Sequence, residues 1–172
     1  MTDLSKPIGS RMDALREYVR QLPEKCHVLE TGTMRGTTPA HITGDGWSTA
    51  ILAYEVHQKD GLLVTIDINN CTKHLDESIP EPYRNCVTHI VGDTKDQLPP
   101  IGISVAWDMV LLDSHRDPHV QQLEFTLIHG YMKPEAFLAI DDHKVKGELL
   151  VPILKQQGWK CLREKDPQVW QR

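Results

Sequence analysis

The chain has 172 residues, a length that suits one domain with a sizeable core, and residues 1–172 are read as a single domain. Its formal net charge of −5 and pI near 6.0 supply no basic footprint, so sequence-independent nucleic-acid binding has no electrostatic basis and no nucleic-acid partner is expected. No run approaches the roughly 20 apolar residues of a membrane span, and the opening residues lack the apolar segment of a signal peptide. Cys26, Cys71, Cys86 and Cys161 show no C-x-x-C pair or metal-type spacing, so a soluble protein with reduced thiols is expected, with the cytoplasm as its compartment.

In chain order, Met12, Leu15, Tyr18, Val19 and Leu22 recur at helical spacing, which predicts an amphipathic helix over 8–22 that stops at Pro23. The run "CHVLET" then predicts a first strand, followed by the glycine turn of "ETGTMRG" and a polar stretch. Ser48 or Thr49 as N-cap and Gly61 as terminator frame the next helix. "LLVTIDI" has the β-branched, continuously apolar character of a strand buried on both faces of a parallel sheet. A short helix is expected over 73–79, and "CVTHIVGD" and "WDMVLLDS" read as third and fourth strands. Helical spacing over 118–132 ends at Pro134 and leads into a fifth strand, "AFLAIDD". A last helix is expected over 144–157, closed by Gly158, after which "WKCLRE" and "PQVWQR" can pair as a terminal hairpin around Asp166 and Pro167. Strands alternating with helices make this an α/β fold, a doubly wound, seven-stranded, mostly parallel sheet with an antiparallel C-terminal hairpin.

In such sheets ligands bind beyond the carboxyl ends of the strands. Carboxylates end every one of the five main runs, at Glu30, Asp67, Asp93, Asp113 and the pair Asp141 and Asp142. One such Asp often only caps a helix or starts a turn, but so many on one edge repel each other unless a metal, a cationic ligand or hydroxyl groups accompany them. The glycine turn fits neither the dinucleotide fingerprint nor the P-loop, since Met34 and Thr37 stand where glycines are needed and no lysine follows Gly36. What remains, E-x-G-x-x-x-G, is backbone that passes close to a ligand beside a carboxylate, or a plain glycine turn.

These segments, from "VLETGTMRG" through "VTIDI", "IVGDT" and "WDMVLLDS" to "AFLAIDD", resemble the class I S-adenosylmethionine-dependent methyltransferases. The likeness is greatest to the small-molecule O-methyltransferases that use a divalent metal, a group sharing its fold with catechol O-methyltransferases and with macrolide-sugar and cephalosporin-tailoring enzymes. The resemblance implies a Rossmann-like methyltransferase domain. It implies cofactor contacts from Glu30, Thr31, Gly32, Thr33 and Gly36 at the methionine end, and from Asp67 and Ile68 at the ribose. On the adenine side it implies Gly92, Asp93 and Thr94, with Asp113 also beside the cofactor. It further implies that Asp113, Asp141 and Asp142 hold a divalent cation, Mg²⁺ foremost, and three hard oxygens on neighbouring strand ends suit such an ion. His115 is the expected general base, because imidazole titrates near neutrality. Arg116 falls near a lysine of catechol-type relatives, but it stays protonated and would steer charge.

The expected reaction is methylation of a hydroxyl on a small molecule. A non-catalytic cofactor-binding module and a metal-dependent hydrolase or hydroxylase are the alternatives. A dehydrogenase is weakest, lacking both the glycine spacing and a Y-x-x-x-K pair. Self-association is left open. The stretch 37–47 departs from the family pattern, and His41, Asp45 and Trp47 are candidates there for cofactor or substrate contact, with a plain surface loop as the simpler reading.

Overall fold

The structure, a computed structural model, describes residues 3–34, 36 and 47–172. Helix α1 (Ser10–Gln21) precedes β1 (His27–Thr31), which is followed by α2 (Ser48–His57), β2 (Leu62–Asp67), α3 (Thr72–Ser78) and β3 (Val87–Val91). Then come α4 (Thr94–Gly102), β4 (Trp107–Leu112), α5 (Pro118–Ile128), β5 (Met132–Ile140), α6 (Leu150–Gln156), β6 (Lys160–Arg163) and β7 (Gln168–Gln171). The strands form one seven-stranded sheet in the order β3-β2-β1-β4-β5-β7-β6. Strands β1 to β5 run parallel, and β7 pairs antiparallel with both β5 and β6, which is the expected terminal hairpin.

Side chains alternate across each strand, so the sheet builds two apolar layers. Val28, Leu63 and Met109 face a core made with Met12, Leu15 and Val19 of α1 and Ile51, Leu52 and Val56 of α2. Leu29, Ile66, Val110 and Leu138 face the other, closed by Leu98 of α4, Phe125 and Ile128 of α5, and Leu150 and Leu154 of α6. The strand order reverses between β2-β1 and β4, and the ends of those strands open the crevice in which this architecture binds ligands.

Three expectations are corrected, and one helix is additional to them. Helix α4 forms although Pro99 and Pro100 lie inside it: Asp93 caps it by accepting from Lys95 N at 3.0 Å, and its Leu98 is fully buried. Both prolines are exposed, so water can reach the carbonyls that lose their donors. Pro134 does not terminate α5, which gives way at His129 to a 3-10 turn; it lies inside β5, exposed, where the β4–β5 register shifts between Trp107 and Met109. The last helix is shorter than its periodic pattern, running from Leu150 to Gln156 with turns over 141–149, although Gly158 does end it at φ +80. Finally, neither Ser48 nor Thr49 caps α2, whose N-cap is Trp47 with no side-chain hydrogen bond. The rest of the unusual stretch, including His41 and Asp45, lies outside the described residues, while Trp47 is buried in the α1–α2 core.

The edge of the sheet opposite the crevice has its own polar lock. Asp108, 5% exposed, accepts from His27 N at 2.9 Å and from Lys133 Nζ at 2.7 and 2.8 Å. Replacing it leaves a half-buried backbone N–H and an ammonium without their acceptor, so Asp108→Ala is expected to lower the unfolding free energy by about 2 kcal/mol in urea titration. Ligand affinity at the crevice should stay unchanged, because the lock lies at the far end of the strands.

Candidate active site

Glu30 has no solvent exposure. It stands opposite Thr65 in the β1–β2 register, and its carboxylate accepts from Ser48 Oγ (2.6 Å), Thr49 Oγ1 (2.7 Å) and Thr65 Oγ1 (3.0 Å). The two hydroxyls that sequence alone assigned to helix capping are therefore spent on this acid. Thr49 also accepts from Met34 N at 3.0 Å, so the loop after β1 hangs from the same carboxylate. Burial pushes the Glu30 carboxyl up to about 7, against the pull of the three hydroxyls and with the Asp113 charge adding to the rise. Glu30 thus supports the glycine turn from beneath, fully buried.

A second hidden acid works from the other face. Glu124 of α5, 1% exposed, accepts from Thr31 Oγ1 (2.9 Å) and Ser114 Oγ (2.6 Å), which ties the end of β1 to the segment after β4. Burial raises this carboxyl as well, while the Ser114, Thr94 and Thr31 hydroxyls oppose the rise. Thr31 is therefore a strut, its Oγ1 also accepting from Asp113 N at 3.2 Å. Between the two clamps, Gly32 takes φ +85, and an added Cβ would lie 2.6 Å from the Asp113 carbonyl oxygen. Only glycine fits there.

Above Gly32 opens a cleft of about 330 Å³, within the range of small-molecule sites. Its polar wall carries Asp67, Asn69, Asp93, Thr94 and Ser114, with His115 at the rim. Ile66, Ile68 and Val120 supply apolar surface, and Ile68 is 70% exposed. Asp67 is oriented by Thr33 N (3.1 Å), Asn69 N (2.8 Å) and Asn69 Nδ2 (3.0 Å). Asp93 divides its carboxylate between the α4 cap and Lys95 Nζ at 3.1 Å, and the Lys95 backbone hydrogen bond does most to hold its carboxyl below the ordinary range.

His115 is exposed, and its Nδ1 accepts from Asp117 N at 3.1 Å. In the neutral ring this leaves the proton on Nε2, so His115 offers the cleft a donor, and acting as a base would require breaking the Asp117 bond. Arg116 is exposed and borders a smaller hollow of about 140 Å³ with Asp142, Lys144, Val145 and Asp166.

The three acids expected to ligate a metal do come together, but around a lysine. The Lys146 ammonium hydrogen-bonds Asp113 Oδ1 and lies 3.8 Å from both Asp141 Oδ2 and Asp142 Oδ2. Arg11 of α1 hydrogen-bonds Asp141 Oδ2. Burial raises the Asp113 carboxyl, with the Lys146 and Arg11 charges opposing. Among the described residues no group of carboxylate, imidazole or thiol side chains is arranged to hold a metal ion, so these side chains as they stand do not fit one.

A family model described as a methyltransferase domain matches residues 43–143, more than half of the chain. The chain belongs to this methyltransferase family. Solved structures share the fold. The MycE methyltransferase of the mycinamycin pathway, in complex with Mg and SAH, is 16% identical with a TM-score of 0.62, covering 93% of this chain and 47% of its own. The O-methyltransferase TomG from Streptomyces achromogenes, in complex with SAM, is 24% identical with a TM-score of 0.62, covering 86% and 61%. An rRNA methylase from Streptococcus thermophilus is 12% identical with a TM-score of 0.63, covering 96% of both chains. The methyltransferase domain described here thus spans about half the length of MycE. No curated protein matches it in sequence.

Of the positions singled out by sequence, Gly32, Asp67, Ile68, Asp93, Thr94 and His115 line one cleft. Thr33 and Gly92 stand behind Asp67, Thr33 through its N–H and Gly92 by donating to the Asp67 carbonyl at 2.9 Å; Gly36 is buried. Asn69 and Ser114 are polar residues that the sequence places at the ends of the second and fourth strands, without a role of their own. Val120 reads there only as a helix position, and Glu124 and Lys146, which sequence reasoning missed, are defined only by what the fold brings beside them.

Glu30 has a measurable consequence. Its carboxyl binds a proton more tightly in the folded chain than in the unfolded one, so its contribution to stability falls as pH rises from about 4.5 through about 7. Urea titrations from pH 4.5 to 8 should show wild type losing roughly 3 kcal/mol relative to Glu30→Gln. Parallel pH profiles for the two proteins would contradict this.

Proposed function

We propose that the chain transfers a methyl group from S-adenosylmethionine to a hydroxyl of a small molecule. The observation that carries this reading is the cleft over Gly32, where an oriented carboxylate, apolar surface and a close backbone approach meet at the sheet's switch point. Asp67, aided by Asn69, suits the two hydroxyls of a ribose, each a hydrogen bond to a charged acceptor. Ile66, Ile68 and Val120 suit a purine face, and Asp93 and Thr94 its polar edge. The Gly32 turn admits the amino-acid end of the cofactor. Bound there, S-adenosylmethionine supplies an electrophilic methyl on a positively charged sulfur.

The chain's own residues then position the acceptor and exclude water. The hollow bordered by Arg116, Asp142 and Lys144 is the acceptor's place in this reading, since His115 and Arg116 are consecutive and line the two spaces in turn. As the methyl passes from sulfur to the acceptor oxygen and S-adenosylhomocysteine leaves, the hydroxyl proton goes to His115 Nδ1, which releases Asp117 N to accept it, and Arg116 steers negative charge on the acceptor. The metal assistance suggested by the acidic strand ends is no part of this mechanism, because Lys146 and Arg11 fill the centre of that cluster. The net charge of −5 favours a small acceptor over RNA.

Calorimetric titration with S-adenosylhomocysteine should show saturable binding at one site. Asp67→Ala should weaken it by roughly 10- to 100-fold, the value of one to two charge-assisted hydrogen bonds. Methyl transfer to a panel of small hydroxylated acceptors tests the reaction itself. No saturable cofactor binding at millimolar concentration would overturn the proposal, and binding without transfer to any acceptor would favour a non-catalytic binding module.

A further inference from the structure

Three carboxylates at neighbouring strand ends repel one another unless a cation lies among them. Here the chain supplies its own. After β5, Asp142 adopts φ +47, and the chain folds into a helical turn in which Val145 N and Lys146 N both donate to the Asp142 carbonyl, at 2.9 and 3.0 Å. That turn brings Lys146 over the end of β4, where its side chain, 6% exposed, hydrogen-bonds Asp113 and lies within 3.8 Å of Asp141 and Asp142. Arg11 approaches Asp141 from α1, a helix that reaches the cluster from a distant part of the chain.

We propose that Lys146 is the resident cation of this cluster, standing where the same three acids would otherwise hold a divalent metal. A divalent ion requires several oxygens at about 2.0 to 2.6 Å, and each of these acids has an oxygen turned to the lysine or to Arg11. An ion placed among them would also meet two like charges that the fold keeps within a few ångströms. The ammonium lacks the double charge and open coordination positions of a metal. What it provides is a compact donor that holds Asp113 beside Gly32 and lies 3.8 Å from Asp142, a residue of the hollow beside Arg116. Lys146 is therefore a positioning residue, and metal independence follows from its presence.

The test uses Mn²⁺ itself as probe, followed by the loss of its free paramagnetic resonance signal and by thermal unfolding with and without the ion. The wild-type chain should show no stoichiometric Mn²⁺ site up to about 1 mM, and chelator should leave its affinity for S-adenosylhomocysteine unchanged. Lys146→Met removes the charge at nearly constant length and should create one Mn²⁺ site, tighter than any in wild type by roughly 100-fold or more, because a like charge a few ångströms away is gone. Its melting temperature should rise with Mn²⁺ while that of wild type does not. Lys146→Arg should behave as wild type. A Lys146→Met chain that folds only when Mn²⁺ is present supports the inference. It is overturned by a stoichiometric micromolar Mn²⁺ site in wild type, or by a Lys146→Met chain, folded or not, that Mn²⁺ neither binds nor stabilises. The Mn²⁺-binding and melting readouts involve neither the cofactor nor methyl transfer, so loss of the cofactor-binding reading would leave them standing, and the reverse also holds.

Discussion

Everything at the mouth of this sheet depends on a carboxylate that water cannot reach. Glu30 alternates with Val28 onto the α2 side of β1, where an uncompensated acid would be expelled or protonated. The fold answers with three hydroxyls from two elements, Ser48 and Thr49 at the start of α2 and Thr65 in the adjacent strand. Their hydrogen bonds tie β1, β2 and α2 together immediately below the glycine turn. The neighbouring residue, Thr31, points to the opposite layer and meets a second buried acid, Glu124 of α5. One strand end is thus clamped from both faces, and Gly32 is held where its backbone grazes the Asp113 carbonyl.

The acidic edge divides by position and by partner. Asp67, on the wall of the cleft, accepts from the N–H groups of Thr33 and Asn69 and from the Asn69 amide, which orient its carboxylate. Asp113 and Asp141 meet ammonium and guanidinium groups. The first carboxylate faces the cleft, and the second pair belongs to an ion cluster. The same residue type at equivalent strand ends therefore has two different chemistries, and the difference lies in partners that come from elsewhere in the chain.

Elements with strong periodicity were legible, and local chemistry explains where legibility stopped. The five parallel strands and the terminal hairpin follow from short apolar runs bounded by turn residues, and α1 follows from its 3.6-residue spacing. Helix α4 tolerates Pro99 and Pro100 because a penalty for missing donors vanishes where the orphaned carbonyls face water. Pro134 misled, since a strand tolerates proline at a register shift. Residues 144–149, expected to open the last helix, form turns after the left-handed Asp142, and the helix starts only at Leu150.

The sequence by itself determined the class of fold, the polar edge of the sheet and the identity of the cleft residues Gly32, Asp67 and Asp93, because strand period, glycine freedom and strand-end acids are local properties, while Thr94 came only with the family resemblance. Tertiary structure alone decided which acids are available and which are committed. Glu30 is buried by Ser48 and Thr49 across a stretch of unrelated sequence, Thr31 is taken by Glu124, and the three acids assigned to a metal are gathered on Lys146 and Arg11. An isolated carboxylate has the same sequence signature in each case. Its role depends on which donor or cation the packing of distant elements brings to within about 3 to 4 Å, where hydrogen bonding and Coulomb attraction become decisive.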